Sequence, residues 1–164
     1  MDFKKLIPDF SVIAKTNWAK PNLDTKNKMW LVMAAAVLLM VVFAFIPWQV
    51  TTGTEEGAKS ASTLGVATWY GIIGLLAAVV ALYGVLYNQV KFVFCGAVLA
   101  AVLGLIGVLT TTGCALDGTT YTAKEVVDFV KDKSLKVSHT GAILFLVASL
   151  AAAAVSFLQI KNEK

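Results

Sequence analysis

The stretch LGVATWYGIIGLLAAVVALYGVLYNQVKFVFCGAVLAAVLGLIGVLTTT, Leu64 to Thr112, holds two long apolar runs parted only by Asn88, Gln89, Val90 and Lys91. The first run ends at Tyr87 and the second begins at Phe92, and neither contains Asp, Glu, Lys, Arg or His. Each is about 20 residues long. As helices rising about 1.5 Å per residue, they match the roughly 30 Å hydrocarbon layer of a bilayer. The stretch therefore predicts a transmembrane helical hairpin with a tight polar turn.

The rest of the chain agrees with this class. Of its 164 residues 58% are hydrophobic and only 15% charged, proportions foreign to a soluble domain. The net charge of +4 comes from fourteen basic residues, all lysine, against ten acids. Without arginine there is no donor for bidentate phosphate or base recognition, and no nucleic-acid partner is expected. Cys95 and Cys114 fall near opposite ends of one predicted helix, about 28 Å apart at helical rise. That excludes a disulfide between them, and no Cys or His spacing predicts a metal or cofactor site.

Working outward, Met29 to Val50 is free of charge and predicts a span, with Trp30 and Trp48 near its ends. Before it, residues 1–28 are polar and hold six lysines. Phe3, Leu6, Ile7, Phe10, Ile13, Ala14, Asn17 and Trp18 recur there at helical spacing, so the segment reads as an interfacial amphipathic helix from about Pro8. Thr51 to Thr63 has no apolar period and reads as an exposed connection. Beyond the hairpin, Thr122 and Glu125 have capping-box spacing and open an extramembrane helix to Lys136. Ser138 to Ile160 is the last span.

The fold class expected is thus all-α, an integral membrane four-helix bundle with spans of about 29–50, 64–87, 91–112 and 138–160. A cytoplasmic segment 1–28 precedes this domain of residues 29–160, and a cytoplasmic tail of residues 161–164 follows. Lipid offers no hydrophobic reward for helix association, so the small residues Gly74, Ala78, Gly96, Ala100, Gly104, Ser149 and Ala153 are expected at helix contacts. Trp30, Trp48, Trp69 and Tyr87 are expected as anchors at the headgroup level. The order of spans, with the Pro47-Trp48 exit and Gly53, resembles tetraspan architecture such as that of claudins. The cysteine pair and Gly-Leu-Trp pattern of the claudin first loop have no counterpart in Thr51 to Thr68. The Pro-Trp exit and Gly-rich loop are more similar to bacterial four-span proteins. Neither likeness assigns a role to any residue.

An ionisable side chain inside a span costs about 2.5–3.5 kcal/mol on insertion scales and is usually kept for transport or proton relay. None is present here, which disfavours ion-coupled carriers and intramembrane hydrolases. His139 stands at a span end with no evident nucleophile or acid beside it, and reads as an interfacial histidine. Cys114 after Leu109-Thr110-Thr111-Thr112-Gly113 only faintly resembles a lipobox, and reads as an exposed thiol that is free or paired between chains.

No catalytic residue is assigned. The expectation is a non-enzymatic structural or accessory subunit of a membrane assembly or homo-oligomer, with the lipid bilayer and a membrane-protein partner or itself as contacts. The alternatives are a small oligomeric channel or carrier for an uncharged solute, and a membrane immunity factor against a toxin. The side holding the termini carries nine lysines against five on the other, which places both termini in the cytoplasm, for a bacterial chain of the inner membrane. A tag after Lys164 is accordingly expected to resist an impermeant reagent in intact cells. Labelling from outside would reverse the orientation.

Overall fold

The computed structural model describes residues 6–17, 20–23, 27–54, 58–116 and 118–162. Phe3, Lys4, Lys5, Trp18, Asp117 and the last two residues, Glu163 and Lys164, lie outside them, as does most of the linker after Leu23. Helix α1 is Ser11–Lys15 and α2 is Lys28–Ala44. Strands β1 (Pro47–Gly53) and β2 (Ser60–Leu64) follow, then a 3-10 turn, α3 (Trp69–Leu86) and α4 (Val90–Leu109). The chain closes with β3 (Cys114–Leu116), β4 (Thr119–Tyr121), α5 (Ala123–Lys131), β5 (Leu135–Ser138) and α6 (Thr140–Asn162).

Three helices, α3, α4 and α6, are long and apolar enough to cross a membrane. Helix α2 is apolar and 17 residues long. Helix α4 packs against α3 and α6, and α2 packs against α6 and α3. Leucine, valine and isoleucine side chains such as Leu38, Leu76, Leu99 and Leu150 point outward from these four helices. Apolar residues on both the inner and the outer faces are what a lipid surround requires.

The hairpin turn is built by a Schellman motif. Asn88 takes φ +53°, its N–H donates to the Val85 carbonyl, and the Gln89 N–H donates to Gly84 at 2.7 Å. Gly84 is required here, since a Cβ would lie 2.6 Å from the Val93 nitrogen. The N-terminal segment crosses this end of the helices. Leu6 is buried, the Phe10 ring meets Phe92 edge-on at 5.5 Å, and the Thr16 and Tyr83 hydroxyls are 2.6 Å apart. Its helical part is only the single turn and a half of α1, starting three residues after Pro8.

At the opposite end the chain is not helical, and several expected boundaries are corrected. The span expected over residues 29–50 stops as a helix at Ala44, because Pro47 has no N–H and disfavours helical backbone at Ile46. The stretch from Pro47 becomes β1. The connection expected over residues 51–63 is instead a β-hairpin, with Thr51↔Ala61 and Thr52↔Ser60 paired and Thr51 fully buried. Strand β1 also pairs antiparallel with β5, giving a three-stranded sheet of order β2-β1-β5. The extramembrane helix opens with the expected capping box but ends at Lys131, and Leu135 and Lys136 belong to β5. Helix α3 starts at Trp69 rather than Leu64, α4 ends at Leu109, and Ser138 is strand.

Trp48 joins the two halves. The carbonyl of Phe43 would accept a helical hydrogen bond from residue 47, but proline there has none to give. The Trp48 indole N–H donates to that carbonyl at 2.8 Å. The ring is 2% exposed, stacks on Tyr70 and packs against Phe145 with centroids 4.8 Å apart. Gly65, Gly107 and Gly141 make room for it: a Cβ at Gly65 would meet the indole nitrogen, one at Gly107 would come within 2.7 Å of the ring, and one at Gly141 would meet the Pro47 carbonyl. Trp48 is therefore a core residue, not the headgroup anchor expected of it.

Replacing Trp48 by alanine should lower stability in detergent by about 3–5 kcal/mol. Trp48→Phe should lose less, about 1–3 kcal/mol for the orphaned Phe43 carbonyl. Denaturant unfolding of the two variants checks the order.

Candidate functional site

Within the apolar helices the small residues sit as follows. Gly74, Ala78, Gly96, Ala100, Gly104 and Ser149 are buried and Ala153 is half-buried, its neighbour Ala152 taking the inward position. Gly96, Ala100 and Gly104 do not serve one partner. A Cβ on Gly96 would strike the Ala77 carbonyl of α3 at 2.6 Å, whereas one on Gly104 would meet Leu146 of α6 at 3.1 Å. Each four-residue step advances about 40° around a helix, so eight residues turn the row by about 80°, enough to pass from one neighbour to the next. The Ser149 and Ser156 hydroxyls donate to Phe145 and Ala152 one turn back, so neither offers a polar group to a ligand. Of the other expected anchors, Trp69 is 62% exposed and Tyr87 half-buried, while Trp30 is buried with its indole N–H on the Val85 carbonyl.

Exposed chemistry is concentrated beyond the helices, at the sheet end. Gln49, absent from the expected residues, fixes this platform to α4. Its amide accepts the Thr112 N–H at 2.7 Å and donates to the Thr112 carbonyl at 2.9 Å, copying a strand-to-strand pair with a side chain. Alternation with Trp48 would turn Gln49 outward, yet both are buried, and the pairing with β2 shifts register between Pro47 and Gln49. Beneath the sheet, Cys114, Leu116 and Val126 form a small second core with Leu135 and Val137 against it. Cys114 is thus buried rather than an exposed thiol, and both cysteines are free. Across α5, the Thr122 N–H and hydroxyl both donate to the Glu125 carboxylate and hold its pKa below the usual glutamate value.

A groove of about 750 Å³ runs along the free edge of β5. Val50, Val130, Leu135 and Val137 line it together with Lys133 and Lys136, Leu135 and Val137 being shared with the second core. Paired residues of antiparallel strands share a face, so Val50, Ser138, Thr52 and Lys136 lie together on one side of the sheet. Lys133 is held by the end of α5. Its N–H donates to Val130 and the next N–H, of Ser134, to Phe129, a second Schellman motif with lysine at the left-handed position, φ +60°.

His139 links β5 to α6. It is half-buried, and its Nδ1 is buried with no hydrogen-bond partner among the described residues. No three His, Cys, Asp or Glu side chains converge among the described residues. Compared with family models, curated proteins and solved structures, the chain finds no match in any of the three.

Desolvation pushes the His139 pKa below its ordinary value of 6.5. A histidine favoured neutral in the fold leaves stability unchanged above the unfolded pKa and lowers it as pH falls through that value, levelling off below the folded one. The wild type should lose stability on acidification from about pH 6.5, and His139→Gln should flatten that part of the profile. Thermal unfolding of both proteins across this range is the measurement.

Proposed function

We propose that the protein is a non-enzymatic integral membrane protein of four spans, acting as a structural or accessory subunit of a membrane assembly or of its own oligomer. The observation that carries this reading is the interlocked interior. Gly84, Gly96, Gly104 and Gly107 each lie where a Cβ would press on a neighbouring segment, and the buried serines are closed on their own helix. Such an interior suits fixed packing more than a moving pathway. Helix α2, extended by Phe45 and Ile46, is the fourth span in this reading and completes a four-helix bundle. The inner membrane of a bacterium, with both termini cytoplasmic, is the setting that the lysine distribution favours.

The contact surfaces are the sheet-end platform, which the Trp48 and Gln49 contacts hold rigidly on the spans, and the end bearing α1. Purification in mild detergent with crosslinking beforehand should recover a stoichiometric neighbour, either another protein or a second copy. Recovery of an isolated monomer, with no crosslinked species at any reagent concentration, would overturn the proposal.

A further inference from the structure

We infer that the groove along β5 holds the headgroup of an anionic lipid in the leaflet beside the sheet. The inference rests on the helices crossing a bilayer and not on the accessory-subunit role. Position is the first argument. Lys136 lies four residues before Thr140, the first residue of α6, so at most about 14 Å of chain separates them. The headgroup layer is about 6 Å deep on each side, and a lysine's four-carbon stem lies on apolar surface while its ammonium reaches such a layer. The groove therefore opens where lipid is already concentrated.

Chemistry is the second. Lys133 and Lys136 line a pocket that holds no carboxylate among the described residues and also takes in Thr52, Thr54 and Ser138. The Thr54 hydroxyl is donated to the Lys133 and Ser134 carbonyls and the Ser138 hydroxyl is paired with Thr140, which leaves the Thr52 hydroxyl to a ligand. Backbone donors add to them. The Thr54 N–H donates to Ser134, and an antiparallel ladder alternates from there, so the N–H groups of Leu135 and Val137 point away from β1 to the free edge. Beside these anion-binding groups the apolar lining, with Val50 and Val130 outside the second core, calls for methylene, which separates a lipid from a free phosphate. A second copy docking edge to edge through β5 would set Lys133 and Lys136 against the same charges.

Lys133 is the third. The left-handed C′ position of a Schellman motif favours glycine, and a side chain there is strained. Lysine occupies it at φ +60° and lines the groove, so a charged residue is kept there at the expense of the backbone.

The test titrates purified protein in neutral detergent with short-chain phosphatidylglycerol and with phosphatidylcholine of the same chains. A surface lysine near an anionic headgroup contributes about fivefold in affinity, so phosphatidylglycerol should bind about 25-fold tighter. Lys133→Gln with Lys136→Gln should abolish that preference, while Lys124→Gln with Lys131→Gln, which removes two charges elsewhere on α5, should keep it. Lys133→Gly relieves the strained backbone, so it should weaken phosphatidylglycerol binding about fivefold while raising the melting temperature; a loss of binding there cannot be misfolding. Equal binding of the two lipids, equal loss in the control pair, equal competition by glycerol phosphate, or occupation of the groove by a second copy or an acidic peptide would each overturn the inference. Insertion of the wild type into vesicles reads the spans separately, so failure of the membrane reading is distinguishable.

Discussion

The indole of Trp48 is the constraint on which the two halves of the molecule depend. Pro47 stops α2 and leaves the Phe43 carbonyl without its helical donor, and the next residue supplies that donor from its side chain. In doing so the ring fills the space where Tyr70 of α3, Gly107 of α4 and Phe145 of α6 meet. A single residue thus closes the helix, plugs the helical core and starts the strand. The adjacent Gln49 then ties that strand to the exit of α4 through the Thr112 backbone. Sheet and helices share one rigid seam.

What could be read from the sequence was whatever one helix or one local motif encodes. The apolar runs gave the long helices to within a few residues, and Thr122 with Glu125 marked the start of α5. The sheet was hidden because its evidence is not local. Thr51 is fully buried only because Ala61 and Val137 flank it on paired strands, and threonine-rich alternation reads as loop when neither partner is known. Trp48 misled for a related reason. A tryptophan next to proline at the end of an apolar run fits a headgroup anchor, and only the placement of Gly65, Gly107 and Gly141 turns it inward.

The groove was less legible still. Its lysines come from a helix end and from an edge strand, with five and six helices and strands between them and the β1 residues on its other side. Lys133 and Lys136 looked like part of one solvated helix of alternating charge. Once α5 ends at Lys131, Lys133 becomes the left-handed stop and Lys136 a strand residue opposite Thr52. The shift of a few residues in one boundary brings the two lysines into the lining of one groove.

The pairing of β1 with β5 has a consequence for how the molecule is made. Val50 and Ser138 are partners across the sheet although they stand 88 positions apart in the chain, and the long helices α3 and α4 lie between the two. While the chain emerges in order, β1 can form its hairpin with β2 at once, but its second edge has no partner until the segment leading into α6 has been synthesised. Closing so long a loop is slow relative to local contacts. The sheet therefore closes only after α3 and α4 have been made, and its completion seats the strand that leads directly into the final helix.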